Sequence, residues 1–178
     1  MKINKIAYKV ALGAILCAQA LALSFIENLI PAMPFMPPGA KPGFSNIITM
    51  FAAESLGFPW AMIITLIKGG FAFITRGATA GAMSLSGGFL STLAMYFLLK
   101  YAKKILGLMG ISVISALCHN LGQLLTSVAI TGSSKTFYYA PVLAIFGIAT
   151  GIVTGFIFRA VLPALEKQKK FFFKSDTQ

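Results

Sequence analysis

Eight polar residues sit inside or beside long apolar stretches of this chain: Glu27, Lys41, Asn46, Lys68, Arg76, His119, Asn120 and Gln123. Polar groups in apolar helices are expensive, so each defaults to a functional hypothesis. Lys41, Lys68 and Arg76 are set against the single carboxylate of Glu27. A cluster with that surplus, at the start of a helix, suits an anionic group such as a carboxylate or phosphate. Structural readings stand beside this one. Glu27 and Lys68 could form an ion pair. His119 could bond from helix to helix, and Asn120 and Gln123 could act as polar glue between helices. Glu54 falls toward the opposite end of its segment and is left out.

The residue types exclude several chemistries. The only Asp is Asp176, and one His cannot supply a His-rich metal site. No phosphate-binding P-loop is present, which removes ATP hydrolysis by that route. No acid pair is placed for glycoside chemistry, and no nucleophile elbow supports a Ser/His/acid triad. No metal, cofactor or catalytic residue is expected, and the chain is read as a non-enzyme.

Six apolar segments must position the cluster: 6–29, 44–56, 58–75, 83–100, 106–131 and 138–165. Hydrophobic residues make up 57% and charged residues 11%. A soluble domain needs more polar surface than this. The expected fold class is an all-α integral membrane protein, one domain over residues 1–178 with six transmembrane helices. With the N-terminus in the cytoplasm, Lys2, Lys5, Lys9, Lys100, Lys103, Lys104, Arg159, Lys167, Lys169, Lys170 and Lys174 fall on the inner side. Lys41, Lys68, Arg76 and Lys135 remain outside it. This asymmetry predicts an even number of crossings and two cytoplasmic termini. It also accounts for the net charge of +11 without nucleic acid as a partner; the lipid bilayer is the partner instead. The first segment follows a basic stretch, but it is a full span long and lacks a small-residue cleavage site, so it is retained as a helix. Cys17 and Cys118 lie in apolar segments and are read as unpaired small residues.

Residues 30–43 contain five prolines and cannot form a regular helix. They are read as an outer loop, with Phe35 and Met36 dipping into the interface or covering a cavity. Segment 44–56 is short for a span, so re-entrant backbone is expected before it. Lys68-Gly69-Gly70 suggests close packing or a bend. Residues 76–88, rich in Gly, Ala, Ser and Thr, are read as an outer turn and the thin start of the fourth helix. Residues 100–104 form an inner loop, Phe137 to Tyr139 an interface belt, and 166–178 a basic cytoplasmic tail. Ala14, Ala18 and Ala22 repeat every four residues, a strip that permits close helix approach. Spacing alone leaves it open between packing within the bundle and docking to another membrane subunit.

Three stretches resemble motifs of the bacterial Gx transporter family: Pro38-Gly-Ala-Lys41-Pro-Gly43-Phe-Ser-Asn46, Ser84-Leu-Ser86-Gly87-Gly88 and Ala116-Leu-Cys-His119-Asn120-Leu-Gly122-Gln123. Members often carry the label heptaprenyl diphosphate synthase component I. The family is similar to the substrate-binding subunits of energy-coupling-factor transporters. That resemblance implies six helices, both ends cytoplasmic, and a vitamin-like solute taken from outside beneath the loop after the first helix. It also implies that the first helix docks by small residues onto a transmembrane coupling subunit driven by two ATPases, in the bacterial cytoplasmic membrane. It turns the Ala14/Ala18/Ala22 strip toward docking and makes 30–43 a candidate lid. The synthase label conflicts with the residues, because trans-prenyl synthases bind magnesium-diphosphate through aspartate-rich helices. A prenyl or quinone precursor remains an admissible cargo.

The leading expectation is therefore a solute-binding subunit of an uptake transporter. Lys41 and Lys68 would pair with the anionic group. Asn46, His119, Asn120 and Gln123 would hydrogen-bond the rest, and Glu27 would orient a lysine or a polar ligand atom. A non-transporting anchor in a redox or quinone-related complex is the alternative. A membrane enzyme acting on an isoprenoid diphosphate is the third.

Overall fold

The computed structural model describes residues 5–29, 37 and 39–173. The side chains of Lys5 and of residues 164–173 are not described. The expectations for Phe35, Met36 and the rest of 30–36, for Pro38, and for the basic side chains of the tail lie outside the described residues. Among the described residues six α-helices follow in order: α1 (Lys5–Asn28), α2 (Asn46–Ser55), α3 (Phe58–Arg76), α4 (Ala78–Tyr101), α5 (Lys103–Thr131) and α6 (Ala140–Phe173). A 3-10 turn (Ser134–Tyr139) joins the last two. Helix α4 packs between α3 and α5, and α5 packs on α6. Helix α1 lies against α2 and α3.

Among the described residues, five stretches are long and apolar enough to cross a membrane: Ile6–Asn28, Phe58–Arg76, Ala78–Tyr101, Lys103–Thr131 and Ser134–Pro163. Their outward faces carry large apolar side chains such as Ile74, Ile105, Ile145 and Phe156. The interior holds many Ser and Thr residues and the charged residues Glu27, Lys41 and Lys68. That distribution is the one expected of a bundle whose solvent is lipid.

Helix α2 differs from the six-span expectation. It has ten residues, about 15 Å at 1.5 Å per residue, against a hydrocarbon core of about 30 Å. Residues Ile47 to Ala53 are all buried, so α2 is an internal helix enclosed by α1, α3, α4 and α6. The segment before it is non-helical but packed. It runs from Gly39, which accepts a bond from Arg76 at one end of the bundle, to α2. At the other end Glu54 meets Lys103. Loop and α2 together thus run from one end of the bundle to the other. Irregular backbone survives at such depth because protein encloses it.

Two boundaries also depart from the sequence reading. Residues 78–88 are helix, and the turn between α3 and α4 is the single residue Gly77, at φ +87°. Helix α3 runs unbroken through Gly69-Gly70. The break in regular helix falls instead at Gly107 in α5, at φ 60° and ψ 179°, a conformation only glycine adopts readily. Gly69 serves packing: a Cβ there would collide with Leu85.

Candidate functional site

The eight predicted residues gather around residues 39–46. Lys41 is held at three points. Its backbone N–H donates to Gln123 Oε1 at 2.9 Å, and Gln123 Nε2 donates back to its carbonyl at 3.1 Å. Its ammonium donates to the carbonyl of Ser24 at 3.1 Å and to Ser24 Oγ at 2.9 Å. The reciprocal amide pair ties the loop to α5, and the ammonium ties it to α1. Glu27 lies 3.9 Å from Lys41 Nζ. Its Oε1 accepts the Ser45 N–H at 2.9 Å and its Oε2 accepts the Ser45 hydroxyl at 3.3 Å. A carboxylate therefore satisfies the first backbone donor ahead of α2, where the side chain of Ser45 makes no cap.

The structural ion pair is present, with a different partner: Glu27 pairs with Lys41 rather than Lys68. Lys68 Nζ donates to Asn46 Oδ1 at 2.9 Å. Among the described residues no carboxylate lies within ion-pair distance of Lys68, and only 5% of its surface is exposed. Its ammonium keeps two further N–H groups, for it carries three donors in all. Arg76 stands at the mouth, half-buried, with Nη2 on the Gly39 carbonyl at 3.1 Å and a buried Nη1 without a partner.

His119 and Asn120 behave differently. Asn120 donates to the Leu143 carbonyl of α6 at 2.7 Å and accepts from Gln123 at 3.4 Å, the geometry of helix-to-helix glue. His119 is buried between the Gly43 and Gly87 backbones, with its Nδ1 toward Gly87 and its Nε2 toward Gly43. Helices α4 and α5 approach here backbone to backbone. A Cβ on Gly122 would stand 2.7 Å from the Gly87 Cα, and one on Gly87 would stand 2.7 Å from the His119 carbonyl.

Beneath Gly43 and Asn46 lies a cavity edged by Ser91, Ser112, Ser115, Thr150 and Thr154, with Met50 and Met95 opposite. It leaves about 10 Å³ for an occupant, roughly what one water needs. Ser115 Oγ on its wall is buried and unpartnered. These hydroxyls, with Ser24 and Ser45, are the site residues the sequence reading missed. Ser24 carried a signal, three residues before Glu27 on the same helix face. The hydroxyls of α5 and α6 carried none, since Ser and Thr are common in membrane helices. The Glu54–Lys103 bridge, 2.6 Å long, lies at the opposite end and takes no part.

The heptaprenyl diphosphate synthase component I family matches this chain over residues 16–161. The chain belongs to that family. The match spans the loop, α2 and every residue of the cluster. A solved structure described as "Structure and mechanism of the S component of a bacterial ECF transporter" has the same fold at a TM-score of 0.64. It is 19% identical, and the alignment covers 89% of this chain and 97% of that one. No curated protein matches the sequence.

Proposed function

We propose that this chain is the solute-binding membrane subunit of an energy-coupling-factor-type uptake transporter. The solute is a small anion of the vitamin, cofactor-precursor or quinone-precursor kind. The observation that carries the reading is Lys68, a buried cation with, among the described residues, no carboxylate within ion-pair distance, under a loop clamped to α1 and α5. A buried charge without a counter-charge is costly, and a bound anion removes that cost. The shared fold of the S component supports the same conclusion. In this reading both termini are cytoplasmic in a bacterial inner membrane, and the loop with α2 completes a sixth passage. Lys41, Lys68 and Arg76 serve the anionic group, and Asn46, His119, Asn120, Gln123 and Glu27 serve the rest of the solute and the lysines. Loop 30–43 acts as the lid.

Ala14, Ala18 and Ala22 all face outward. That favours docking to a transmembrane coupling subunit, itself driven by two ATPases, over packing within the bundle. We read the chain as a binding subunit rather than a catalyst.

The test is purification in mild detergent followed by mass spectrometry of bound small molecules. A stoichiometric small anion is expected, and it should be lost in the Lys41→Ala, Lys68→Ala double variant while the protein stays monodisperse and helical. Equal retention by the folded double variant would overturn the reading. An empty protein that instead retains enzyme subunits would favour the anchor role.

A further inference from the structure

We infer that the cavity beneath Gly43 and Asn46 is a binding site for one ordered water, which donates to hydroxyl oxygens and ties α5 to α6 under the start of α2. The inference goes beyond the solute-binding role and does not depend on it.

Hydrogen-bond accounting on the cavity wall is the first argument. Ser112 and Ser115 lie three residues apart on α5, and Thr150 and Thr154 four apart on α6, so each pair shares a helix face. All four edge the cavity. A hydroxyl has one proton to give and two lone pairs to offer. Thr150 gives its proton to the Phe146 carbonyl at 2.8 Å, and Thr154 gives its own to the Thr150 carbonyl at 2.8 Å. Bonds of this kind to the preceding turn are usual for a threonine within a helix. The Ser112 and Thr154 hydroxyl oxygens stand 2.6 Å apart. With the Thr154 proton spent on backbone, Ser112 is the donor of that bond. Three of the four hydroxyls therefore keep no proton for the cavity, only lone pairs. Ser115 is the exception: it is 1% exposed, and its Oγ has no partner among the described residues. The wall thus presents several acceptors and one unspent donor. A water answers that set, because it gives two protons and accepts from Ser115.

Size and charge rule out the other occupants. The cavity leaves about 10 Å³, room for a single water and no more. A cavity lined by apolar groups stays dry, but five hydroxyl side chains edge this one. A metal cation would find oxygens here, yet none of the lining residues is a carboxylate, the usual ligand of a hard cation. Asn46, on the same wall, already holds the Lys68 ammonium on its Oδ1 at 2.9 Å. A second cation would meet that like charge in a low-dielectric interior.

The test uses the full chain in mild detergent. Ser115→Ala removes the group that donates to the water. It should lower the melting temperature by about 2–4 °C, the shift that one lost hydrogen bond brings in a chain of this size. Over a dry cavity the same change removes a buried, unsatisfied hydroxyl. An unchanged or higher melting temperature would therefore overturn the inference. The parent protein should melt at the same temperature in sodium, potassium and choline chloride at equal ionic strength. Stabilisation by one of the metal salts alone would show a cation in place of the water. A crystal structure that resolves ordered solvent should show one peak in the cavity, within hydrogen-bond distance of Ser115 and of Ser112 or Thr150. A map with other buried waters and none here would also refute the site, and that map decides should Ser115→Ala fail to fold. None of these readouts involves a solute, so the solute-binding role stands or falls separately.

Discussion

Gln123 is the residue on which the closed loop depends. Its side-chain amide answers both the N–H and the carbonyl of Lys41, at 2.9 and 3.1 Å. Gln123→Met keeps the length and volume but leaves two buried backbone groups unanswered. Each such group costs about 1–3 kcal/mol. The variant should melt several degrees lower in detergent, with early proteolytic cleavage near Lys41, while helix content holds. A variant that melts like the parent with an equally protected loop would mean the amide pair does not hold the loop down. The residue types of this cluster were legible in the sequence, because charged and amide side chains in apolar segments are conspicuous. Their pairings were not. Glu27 had Lys41, Lys68 and Arg76 at similar depth, and only the path of the loop decides that Lys41 reaches it. Gln123 was read as a polar contact between helices or with a solute. Its actual partner is backbone more than 80 residues earlier.

At the scale of elements, the contact of α4 on α5 decides where the site residues stand. Gly87 and Gly122 let the two backbones meet, which seats His119 beneath Gly43. Gly122→Ala would place a methyl 2.7 Å from the Gly87 Cα and 2.8 Å from the Ser86 carbonyl. Overpacking of this kind costs about 1–3 kcal/mol, and here the obstacle is backbone that cannot rotate away. Gly70 is the contrasting position on α3, where an added Cβ meets nothing within 4 Å. Gly70→Ala should stabilise by about 0.5–1 kcal/mol, because alanine loses less backbone freedom in a helix. Thermal unfolding of the two variants in one detergent should move in opposite directions. Equal shifts would mean that the α4–α5 approach is looser than its geometry. The same contact explains why 76–88 was read as a turn and only the thin start of a helix, when the helix begins at Ala78. Gly, Ser and Thr lower helix propensity in water. In lipid the backbone must satisfy itself within the helix, and small residues are favoured where helices touch. The shortness of segment 44–56, by contrast, was plain in the sequence, since its length alone falls below a span.

Across the whole molecule, α1 presents two faces with different partners. Its inward face carries Gly13, Leu16, Ala20, Ser24 and Glu27, all buried. A Cβ on Gly13 would run into the Trp60 ring of α3. Its outward face carries Ala14, Ala18 and Ala22, exposed beside Val10, Ile15 and Ile26. Spacing in the sequence left open whether the alanine strip faced the bundle or another subunit. The division comes from the 100° step per helical residue, which turns position 14 away from position 13. The two readings of the strip now predict different results. If Ala14, Ala18 and Ala22 dock a coupling subunit, the triple Ala→Leu variant should fold, melt and bind solute as the parent does, because leucines on this face meet lipid. It should fail to co-purify with the membrane and ATPase subunits, since bulk at a small-residue strip prevents close helix approach. Gly13→Leu should do the reverse of the first half: it should lower the melting temperature by forcing α1 away from Trp60. A triple variant that loses stability or solute binding would place the strip in the bundle's own packing. One that keeps its partners would move the docking surface to another face.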